Sequence, residues 1–421
     1  MKILFHTLGC KLNFAESSAI GKILLERNHK RAAVGEEADI CVINTCSVTD
    51  VADHKGRQLI HRVHRENPHA VIIVTGCYAQ LKPDEIAQIE GVDYVLGNDE
   101  KFDIPELVGQ LEAQYDRSNT RGNILTSEIR SVNAFHTSVS STDRTRCFLK
   151  VQDGCNYFCT YCTIPMARGK SRNADIKTIV AQAQDAIDSG MKEIVLTGVN
   201  IGDFGRSTNE KFYDLIRALD DVTEDVRYRI SSIEPNLLSD EIIDFVAQSK
   251  HFAPHFHIPL QSGSDTVLRL MKRHYDTALF SERIDHIRRV IPNAFIGVDV
   301  MVGLRGETPE LFEQCRQYVN NLDISRLHVF TYSERAGTRM LEIDYSVPQK
   351  ERKHRSDILH EISAGKLSAF YARHKGEYAT VLWEGKLKGQ GNMMAGFSEN
   401  YIRVTAPYDR TKINTFERVV I

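Results

Sequence analysis

Apolar and polar positions follow a regular alternation along the first 115 residues. Short apolar runs (KILFHT, DICVINT, AVIIVTG and DYVLG) alternate with stretches such as FAESSAIGKILLER and DVADHKGRQLIHRVHRE, in which apolar residues recur at helical spacing. Strands that alternate with helices indicate a parallel, doubly wound sheet. We therefore predict an α/β domain over residues 1–115, followed by a polar stretch, 116–143, whose Ser, Thr, Asn and Arg content is typical of a linker.

The same alternation starts again in residues 144–345. Helical patterns such as DIKTIVAQAQDAID and SDEIIDFVAQS separate six strand candidates, which are CFLKVQ, EIVLTG, RYRISS, HFHIPL, FIGVDVM and RLHVF. Six strand–helix units indicate an open, partial (β/α)6 version of the eightfold barrel. In such a barrel the loops that follow the strands form the functional face.

The C-terminal part of the chain changes character twice. Residues 346–375 read as a helix in which seven Lys and Arg residues outnumber three Asp and Glu residues. Residues 376–421 carry the strand signals YATVLW, YIRV and ERVVI and several glycines, which predicts a small all-β barrel. The basic helix has two interpretations, a solvated helix face or a contact with nucleic acid.

Length, charge and cysteine content narrow the class of protein. A chain of 421 residues exceeds the usual size of one hydrophobic core, so we expect two or three domains. With a net charge of −3, the chain as a whole is not a strongly basic protein. The N-terminal apolar run is too short for a signal peptide, and no run approaches the roughly 20 residues that span a bilayer. We expect a cytoplasmic protein without a membrane partner, whose nine cysteines are metal ligands or reactive groups.

Three of the cysteines are crowded into the stretch GCNYFCTYC. Cys155, Cys159 and Cys162 have the spacing C-x3-C-x2-C and follow the first predicted barrel strand, on the functional face. Three thiolates suit an iron–sulfur cluster, and a cubane with three protein ligands keeps one iron open to another molecule. A zinc site completed by a distant histidine is the alternative.

A second set of cysteines is spread over the N-terminal domain. Cys10, Cys46 and Cys77 follow predicted strands in HTLGC, INTC and VTGC. The carboxyl ends of parallel strands share one edge of the sheet, so these thiols can converge there. Gly9 and Gly76 precede two of them and permit a close approach of the backbone. We predict a second three-thiolate cluster; the alternative is cysteines that pack as small apolar residues, which suits the remaining three.

Several sequence blocks carry a resemblance to a known family. They are TLGCKLNFAES, NTCSVT, TGCYAQ, VQDGCNYFCTYC, HIPLQSGSD and FTYSERAGT. The cysteine spacing in the barrel resembles the radical S-adenosylmethionine (SAM) superfamily. Together with a cysteine-bearing flavodoxin-like domain and a C-terminal β domain, it resembles the methylthiotransferases over essentially the whole chain. The form GCKLNFAES is most similar to the branch that modifies N6-threonylcarbamoyladenosine (t6A) in tRNA, whereas the isopentenyladenosine branch tends to GCQMN and the ribosomal-protein branch to GCxKN.

The resemblance implies two 4Fe-4S clusters and SAM as cofactors. The barrel cysteines would hold the cluster that cleaves SAM to methionine and a 5′-deoxyadenosyl radical. The N-terminal cysteines would hold an auxiliary cluster that carries the transferred sulfur. The radical would remove hydrogen from C2 of an adenine, a bond that acid–base chemistry cannot activate. A low-potential electron donor and a sulfur source are implied as partners.

For SAM, the resemblance implies contacts from the loops that follow the barrel strands. The expected residues are Thr197, Gly198, Asn200, Glu234, Gln261, Ser262, Gly303 and Glu307. Helix caps or loop hydrogen bonds are the alternative for Glu234, Gln261 and Ser262. The chain departs from the family in one loop, because GLRGET stands where GFPGET is usual and Arg305 replaces a rigid proline.

The C-terminal domain resembles the TRAM domain, an RNA-binding β barrel. With the basic helix, it implies an interface for a tRNA anticodon stem-loop. The expected contacts are phosphate contacts from the helix and base stacking from GFSENYIRV, made by Lys350, Arg352, Lys353, Arg355, Phe397, Tyr401 and Arg403. The alternative for the two aromatic residues is a place in the core of the small barrel.

These features predict an enzyme that adds a 2-methylthio group to C2 of t6A at position 37 of tRNA anticodon loops. The same chemistry on isopentenyladenosine or on a ribosomal protein is one alternative. A two-cluster electron-transfer protein is another, although such carriers have complete cysteine sets. The third is a non-enzymatic zinc and RNA adaptor.

Overall fold

The computed structural model describes residues 1–113, 121–140, 145–222, 224–387, 389 and 391–421. Within them the chain forms an N-terminal parallel sheet, a central partial barrel and a small C-terminal antiparallel sheet. This confirms the predicted α/β class and the order of the three parts. No helix in these ranges is long and apolar enough to cross a membrane.

The N-terminal domain is a parallel sheet between two layers of helices. Its elements are β1 Lys2–Thr7, α1 Lys11–Glu26, β2 Lys30–Arg31, β3 Ile40–Thr45, α2 Asp50–Glu66, β4 Val71–Gly76, α3 Cys77–Leu81, α4 Pro83–Ala87, β5 Tyr94–Leu96, a 3-10 turn Glu100–Asp103, α5 Ile104–Ala113 and β6 Asn123–Leu125. The strand order is β2-β1-β3-β4-β5-β6, and its first five strands follow the flavodoxin order. β3 and β4 are buried throughout, because α1 and α5 cover one face of the sheet and α2 to α4 cover the other.

The stretch predicted as a linker, 116–143, lies partly outside the described residues. In its described part, β6 pairs with β5, and β7 (Val139–Ser140) pairs with the first barrel strand. A 3-10 turn between them, Ile129–Ser131, buries Ile129. This part is therefore not a free linker but extends both sheets. Its strands have only two or three residues, which is too short for a periodic signal in the sequence.

The central domain consists of six parallel strands with helices on the outside. Its elements are β8 Arg146–Lys150, α6 Ile164–Arg168, α7 Ile176–Asp188, β9 Glu193–Thr197, α8 Phe212–Asp220, β10 Arg227–Ile230, α9 Asp240–Gln248, β11 His255–Gln261, α10 Asp265–Leu270, α11 Thr277–Val290, β12 Phe295–Val302, α12 Pro309–Asn321 and β13 Arg326–Thr331, with 3-10 turns at Ile201–Asp203 and Arg339–Glu342. β8 to β10 and β11 to β13 form two ladders, which single bridges such as Ser232 to His257 connect. All six predicted barrel strands are confirmed.

Helix α1 joins the first two domains. It packs against β7 and β8, and Ala15 of this helix shares a small core with Phe148 and Val195 of the barrel. The carboxyl edge of the N-terminal sheet therefore faces the mouth of the barrel.

The C-terminal part begins with a long helix, α13, over Gln349–Arg373, which packs along β13. The sheet that follows consists of β14 Tyr378–Lys386, β15 Met393–Phe397, β16 Arg403–Pro407, a 3-10 turn Arg410–Lys412 and β17 Phe416–Val420. Its strand order is β16-β15-β14-β17, all antiparallel. Val381, Trp383 and Met394 form its core.

Candidate active site

The three N-terminal cysteines lie at the carboxyl ends of three adjacent strands. Cys10 and Cys46 follow β1 and β3, and Cys77 follows β4 directly. Because β1, β3 and β4 are neighbours in the sheet, these loops meet at one edge. The thiols also interact: burial raises the pKa of Cys46 to about 12, and Cys77 and Cys10 act in the same direction. The fold thus brings together cysteines that lie far apart in the sequence.

Two glycines make this convergence possible. Gly9 has a φ of +100°, and a Cβ atom there would lie 2.7 Å from the Cβ and 3.1 Å from the Sγ of Cys46. Gly76 has a φ of +96°, and its Cβ would lie 2.4 Å from the carbonyl oxygen of Thr45. Any larger residue at either position would push the cysteine loops apart.

The barrel cysteines lie in the loop after β8, where N–H groups point at their sulfurs. The backbone N–H of Tyr157 donates to Cys155 and that of Ile164 donates to Cys162, both at 3.4 Å. Hydrogen bonds to cysteine sulfur tune the potential of an iron–sulfur cluster, so this loop suits such a group. Burial raises the pKa of Cys155 and of Cys162 to about 12, so cluster binding must release their protons.

Zinc and an iron–sulfur cluster place different demands on the arrangement of the cysteine sulfurs. No group of three or more His, Cys, Asp or Glu residues in the described ranges is arranged to hold a single metal ion. Thiolates that share one zinc ion must all lie about 2.3 Å from it. The thiolates of a cubane bind separate irons, so a cluster does not require its cysteine sulfurs to converge on one point.

Arg273 and Glu234 form a buried ion pair beside the barrel cysteines. The Nη1 of Arg273 donates to Cys159 Sγ at 3.0 Å, and its Nη2 donates to the Glu234 carboxylate. Burial raises the pKa of Glu234 although Arg273 acts in the opposite direction. Glu234 was predicted here, but Arg273 was not, because a single arginine in a loop after α10 carries no sequence signal of its partner.

Asn200 and Gln261 have the properties of ligand-binding side chains. Both amide atoms of Asn200 and the side-chain oxygen of Gln261 are buried and have no hydrogen-bond partner in the described part of the chain. A buried polar group without a partner costs free energy, so a bound ligand is expected to complete these contacts. Gly198 lies beside Asn200, and a Cβ there would come within 2.9 Å of the Gln152 oxygen, which accepts hydrogen bonds from Val199 and Asn200.

Four other predicted SAM contacts already use some of their polar groups within the chain, although one carboxylate oxygen of Glu307 is buried without a hydrogen-bond partner among the described residues. The Thr197 hydroxyl donates to the carbonyl of Val195, and Ser262 is fully buried, where its hydroxyl accepts from the backbone of Ser264. A Cβ on Gly303 would lie 2.3 Å from the side chain of Arg352, and Gly303 donates to Glu307. Glu307 is 0 % exposed and pairs with Arg355 at 2.8 Å. Gly303 and Glu307 therefore attach α13 to the barrel.

Arg305 has a similar structural role in the unusual GLRGET loop. Its guanidinium pairs with Glu334 at 3.0 Å and donates to the carbonyls of Leu341 and Ile343. The arginine thus connects this loop to the 3-10 turn that follows β13, a function that the usual proline lacks.

A cavity of about 210 Å³ lies between the barrel cysteine loop and the loop that follows Cys46. We call it the chamber. The loop after Cys46 contributes Val48 and Thr49 to its wall, and the barrel loop contributes Cys162. Its other lining residues are Tyr161, Thr163, Ile164, Gln261, Asp299, Met301, Phe330, Thr331, Tyr332 and Ser333. The chamber is mostly apolar, so it can hold a flat base out of water.

Some of the residues predicted to contact RNA are exposed, whereas others are buried and already paired within the protein. Lys350, Lys353 and Arg403 are exposed, and Lys353 pairs with the likewise solvent-facing Asp357 at 2.6 Å, so these three side chains are accessible to a phosphate. Arg352 and Arg355 are 7 % and 1 % exposed and pair with carboxylates of the barrel domain. Both guanidinium groups are thus engaged within the protein, and the phosphate contacts predicted for them stay predictions.

Phe397 and Tyr401, which the sequence predicts to stack on RNA bases, make several contacts within the protein. Their rings stack on each other with centroids 4.9 Å apart, beneath the guanidinium of Arg146. Arg146 donates to the Tyr401 hydroxyl at 3.0 Å, and Arg229 lies 4.8 Å from the same ring. The two aromatic residues therefore belong to the contact between the C-terminal sheet and the amino ends of the barrel strands rather than to the core of the small sheet, and the base stacking stays a prediction.

Comparison with known proteins agrees with this division of the chain. Residues 2–97 match a family described as uncharacterized protein family UPF0004, and residues 149–319 match the radical SAM superfamily. Among solved structures, the chain resembles the radical SAM methyltransferase TsrM from Kitasatospora setae, with a TM-score of 0.58 and 13 % identity over 78 % of this chain and 74 % of that chain. It also resembles the radical SAM enzyme OxsB, with a TM-score of 0.53 and 11 % identity over 87 % of this chain and 56 % of that chain. At this identity the likeness supports the fold.

Curated relatives match over nearly the whole chain. Threonylcarbamoyladenosine tRNA methylthiotransferase MtaB of Bacillus subtilis is 39 % identical over 96 % of this chain and 89 % of its own length. The protein with the same name in Aquifex aeolicus is 34 % identical over 96 % of both chains. A tRNA-2-methylthio-N(6)-dimethylallyladenosine synthase of Bacteroides fragilis is 30 % identical over 100 % of this chain and 93 % of its own length. With this similarity, two cysteine sets and a shared chamber, the chain belongs to the radical SAM tRNA methylthiotransferase family.

Proposed function

We propose that this protein transfers a methylthio group to C2 of t6A at position 37 of tRNA anticodon loops. The observation that carries the proposal is the chamber, whose wall includes both Cys162 of the barrel and the loop after Cys46. A substrate base in this cavity would be in reach of both cysteine sets. A tRNA substrate is consistent with a cytoplasmic location. A sulfur source would have to renew the sulfur that is transferred in each reaction.

The residues of the chain are expected to bind the clusters, orient SAM and shield the substrate base from water. Cys155, Cys159 and Cys162 would hold one 4Fe-4S cluster, and the three N-terminal cysteines would hold the other. When bound, SAM and the two clusters supply the radical, the methyl group and the sulfur. Asn200 and Gln261 would orient SAM through their unpaired amide atoms, and apolar side chains such as Met301 and Phe330 exclude water from the base.

A positively charged side chain beside the auxiliary cysteines would suit t6A as the substrate. The threonylcarbamoyl group carries a carboxylate, whereas an isopentenyl group is apolar. Lys11 follows Cys10, keeps accessible surface although protein surrounds it, and makes no ion pair within the described residues. Burial lowers the pKa of Lys11 to about 8, and Asp299 of the chamber acts in the opposite direction, so the two side chains interact. Lys11 is therefore our candidate for binding the t6A carboxylate.

An electron donor would reach the barrel cluster from outside the chamber. A hollow of about 620 Å³ lies at the cysteine loop and includes Cys159 and Cys162 in its wall. Four exposed cations line it, and none makes an ion pair with a described residue; they are Arg130, Lys170, Lys272 and Arg339. No acidic residue in the described ranges lines the hollow. This surface suits an acidic, low-potential donor protein.

Nucleoside mass spectrometry tests the proposed substrate. In tRNA from a strain that lacks this protein, we expect t6A without its 2-methylthio group, and the group should return with the wild-type gene. Loss of the group from isopentenyladenosine instead would place the protein in the other tRNA branch. An unchanged tRNA with a ribosomal protein that lacks methylthiolation would contradict the tRNA function.

Cysteine variants test the assignment of the two clusters. Cys155→Ala should abolish the release of 5′-deoxyadenosine from SAM. Cys46→Ala should keep this release and lose methylthiolation. Loss of both activities in Cys46→Ala would show that the two cysteine sets are not independent.

Lys11→Gln tests the contact with the substrate carboxylate. We expect weaker binding of t6A-containing anticodon stem-loops and unchanged binding of stem-loops with unmodified adenosine at the same position. Lys11→Arg, which keeps the positive charge, is the control. Equal losses on both RNAs would mean that Lys11 contacts something other than the threonylcarbamoyl group.

A further inference from the structure

Six charged side chains are buried together where the N-terminal domain meets the barrel. They come from α1, the 3-10 turn before α5, β8, α6 and the loops around the barrel cysteines. Each of these residues is at most 5 % exposed, and four of the six are at most 1 % exposed. The six are Glu16, Lys101, Lys150, Asp153, Arg168 and Arg172. We call this set the buried charge network.

Glu16 lies at the centre of the network. Its carboxylate receives Lys101 at 2.5 Å, Lys150 at 2.8 Å and Arg168 at 3.0 Å. The same Arg168 reaches Asp153 at 3.0 Å. Burial alone would lower the pKa of Arg168, but Glu16 and Asp153 raise it well above its ordinary value, so this guanidinium stays charged.

Two asparagines connect the network to the auxiliary cysteines. Arg168 donates to Asn13 Oδ1 at 2.6 Å, and this oxygen lies 3.9 Å from Cys10 Sγ. Lys101 donates to Asn98 Oδ1 at 2.8 Å, and Asn98 Nδ2 lies 3.8 Å from Cys77 Sγ. The network therefore lies directly behind two of the three N-terminal thiols.

The network has more positive than negative charge. Four cations meet two carboxylates, which leaves a formal excess of two positive charges. Burial lowers the pKa of Lys101, and with a neutral Lys101 the excess is still one. An uncompensated buried charge is unfavourable by itself, so stability does not explain this excess. Negative charge next to it does, and three thiolates around an iron–sulfur core would supply that charge.

The buried charges beside the barrel cysteines are balanced, whereas the unpaired cations of the hollow are exposed to solvent, which screens their effect. Arg273 beside Cys159 is paired with Glu234, so this pair has no formal charge excess. Net charge near a cluster is one of the factors that set its reduction potential. Positive charge stabilises the reduced form, because reduction adds an electron.

We propose that the buried charge network, with Arg168 as its key positioning residue, raises the reduction potential of the auxiliary cluster above that of the SAM-cleaving cluster. The inference rests on the proposed function, because it requires a cluster on Cys10, Cys46 and Cys77. Arg168 does not touch that cluster; it acts through Asn13 and through charge. The two clusters of the protein would then differ in reduction potential, so that the auxiliary cluster is reduced more easily than the SAM-cleaving cluster.

The test isolates the auxiliary cluster and changes the charge in both directions. In a Cys155→Ala, Cys159→Ala, Cys162→Ala background, only the N-terminal cysteines can hold iron. Redox titration followed by electron paramagnetic resonance gives the midpoint potential. Arg168→Gln removes a positive charge and should lower the potential by at least a tenfold change in the reduction equilibrium, about 59 mV for a one-electron couple. Glu16→Gln removes a negative charge with little change in shape and should raise the potential.

Control variants separate charge from structure. Arg168→Lys keeps the charge and should restore most of the potential. Glu307→Gln alters an equally buried carboxylate outside the network, which pairs with Arg355 of α13, and should leave the potential unchanged. If Arg168→Gln does not assemble a cluster, Lys150→Met is the second variant that removes a positive charge and must lower the potential.

Equal potentials in Arg168→Gln and Glu16→Gln, or shifts of the same sign, would overturn the inference while leaving the proposed function intact. A background protein that binds no iron after reconstitution would overturn the proposed auxiliary cluster itself. Opposite shifts with an unchanged Glu307→Gln control support the network as the element that sets the potential.

Discussion

Buried polar atoms without partners are the clearest signs of ligand binding at the residue scale. Asn200 keeps both amide atoms unpaired, and Gln261 keeps its oxygen unpaired at the wall of the chamber. A protein tolerates such groups, at about 1–3 kcal/mol each, where a ligand completes them. The hydroxyls of the neighbouring Thr197 and Ser262 already have hydrogen-bond partners. Residues that are neighbours in the sequence therefore differ in whether their polar atoms are paired.

Asn200→Ala should separate ligand binding from stability. We expect an unchanged or slightly higher melting temperature of the cluster-free protein, since the variant removes two unpaired buried atoms. SAM affinity of the reconstituted protein, measured by calorimetry, should fall about tenfold, or 1.4 kcal/mol. A large loss of melting temperature with normal SAM affinity would show that Asn200 is structural.

Arg273→Met should destabilise the cluster-free protein. The variant leaves Glu234 as an unpaired charge in a buried position, which costs about 3–5 kcal/mol. Thermal or urea unfolding measures the loss. Glu234→Gln in the same chain should recover a large part of it, because the amide no longer requires a counter-charge. No recovery in the double variant would mean that Arg273 acts mainly through Cys159.

At the scale of elements, helix α13 combines two surfaces with opposite roles. One side carries Arg352 and Arg355, which attach the helix to the barrel through Glu334 and Glu307. The other side carries Lys350 and Lys353, which face solvent. The helix is therefore both a structural element and a candidate RNA surface.

Variants of α13 should distinguish these two surfaces. Lys350→Ala with Lys353→Ala should weaken tRNA binding and reduce the slope of log affinity against log salt concentration by about 1 for each lost phosphate contact. Arg355→Met should leave that slope unchanged and lower the stability by about 3–5 kcal/mol. Filter binding at several salt concentrations and thermal unfolding measure the two effects. A salt slope that changes only in Arg355→Met would contradict the division.

At the scale of the whole molecule, the contact between the N-terminal domain and the barrel should weaken in acid. Burial alone would raise the pKa values of Glu16 and Asp153, but the surrounding cations lower both. Because the folded pKa values are depressed, this contribution is complete above the unfolded values of about 4 and is lost as the pH falls below them. The melting temperature of the cluster-free protein should therefore drop from about pH 5 downward, and Glu16→Gln should show a flatter pH dependence.

Electron delivery is a second prediction at this scale. Lys170→Glu with Lys272→Glu reverses charge in the hollow beside the barrel cysteines. We expect a higher KM for an acidic donor protein such as a flavodoxin, and unchanged SAM cleavage with dithionite, a small reductant that needs no docking surface. If the variant instead loses affinity for tRNA with a normal donor KM, the hollow binds RNA.

Local patterns were sufficient to predict the elements and to single out two cysteine sets as candidate cluster ligands. The strand–helix alternation predicted the parallel sheet and all six barrel strands, because periodicity is a property of neighbouring residues. The cysteine sets and their preceding glycines were recognisable because strand ends of a parallel sheet share one edge whatever the details of packing.

Tertiary packing alone decided what the charged and aromatic side chains do. In the sequence Arg355 looks like Lys353, and only the docking of α13 buries the arginine against Glu307, a residue far away in the chain. Likewise, the contact with Arg146 engages Phe397 and Tyr401, and the junction of two domains assembles the network around Glu16. The physical reason is that the free energy of a charge or an aromatic ring depends on partners and burial, which separate segments of the chain provide only after folding.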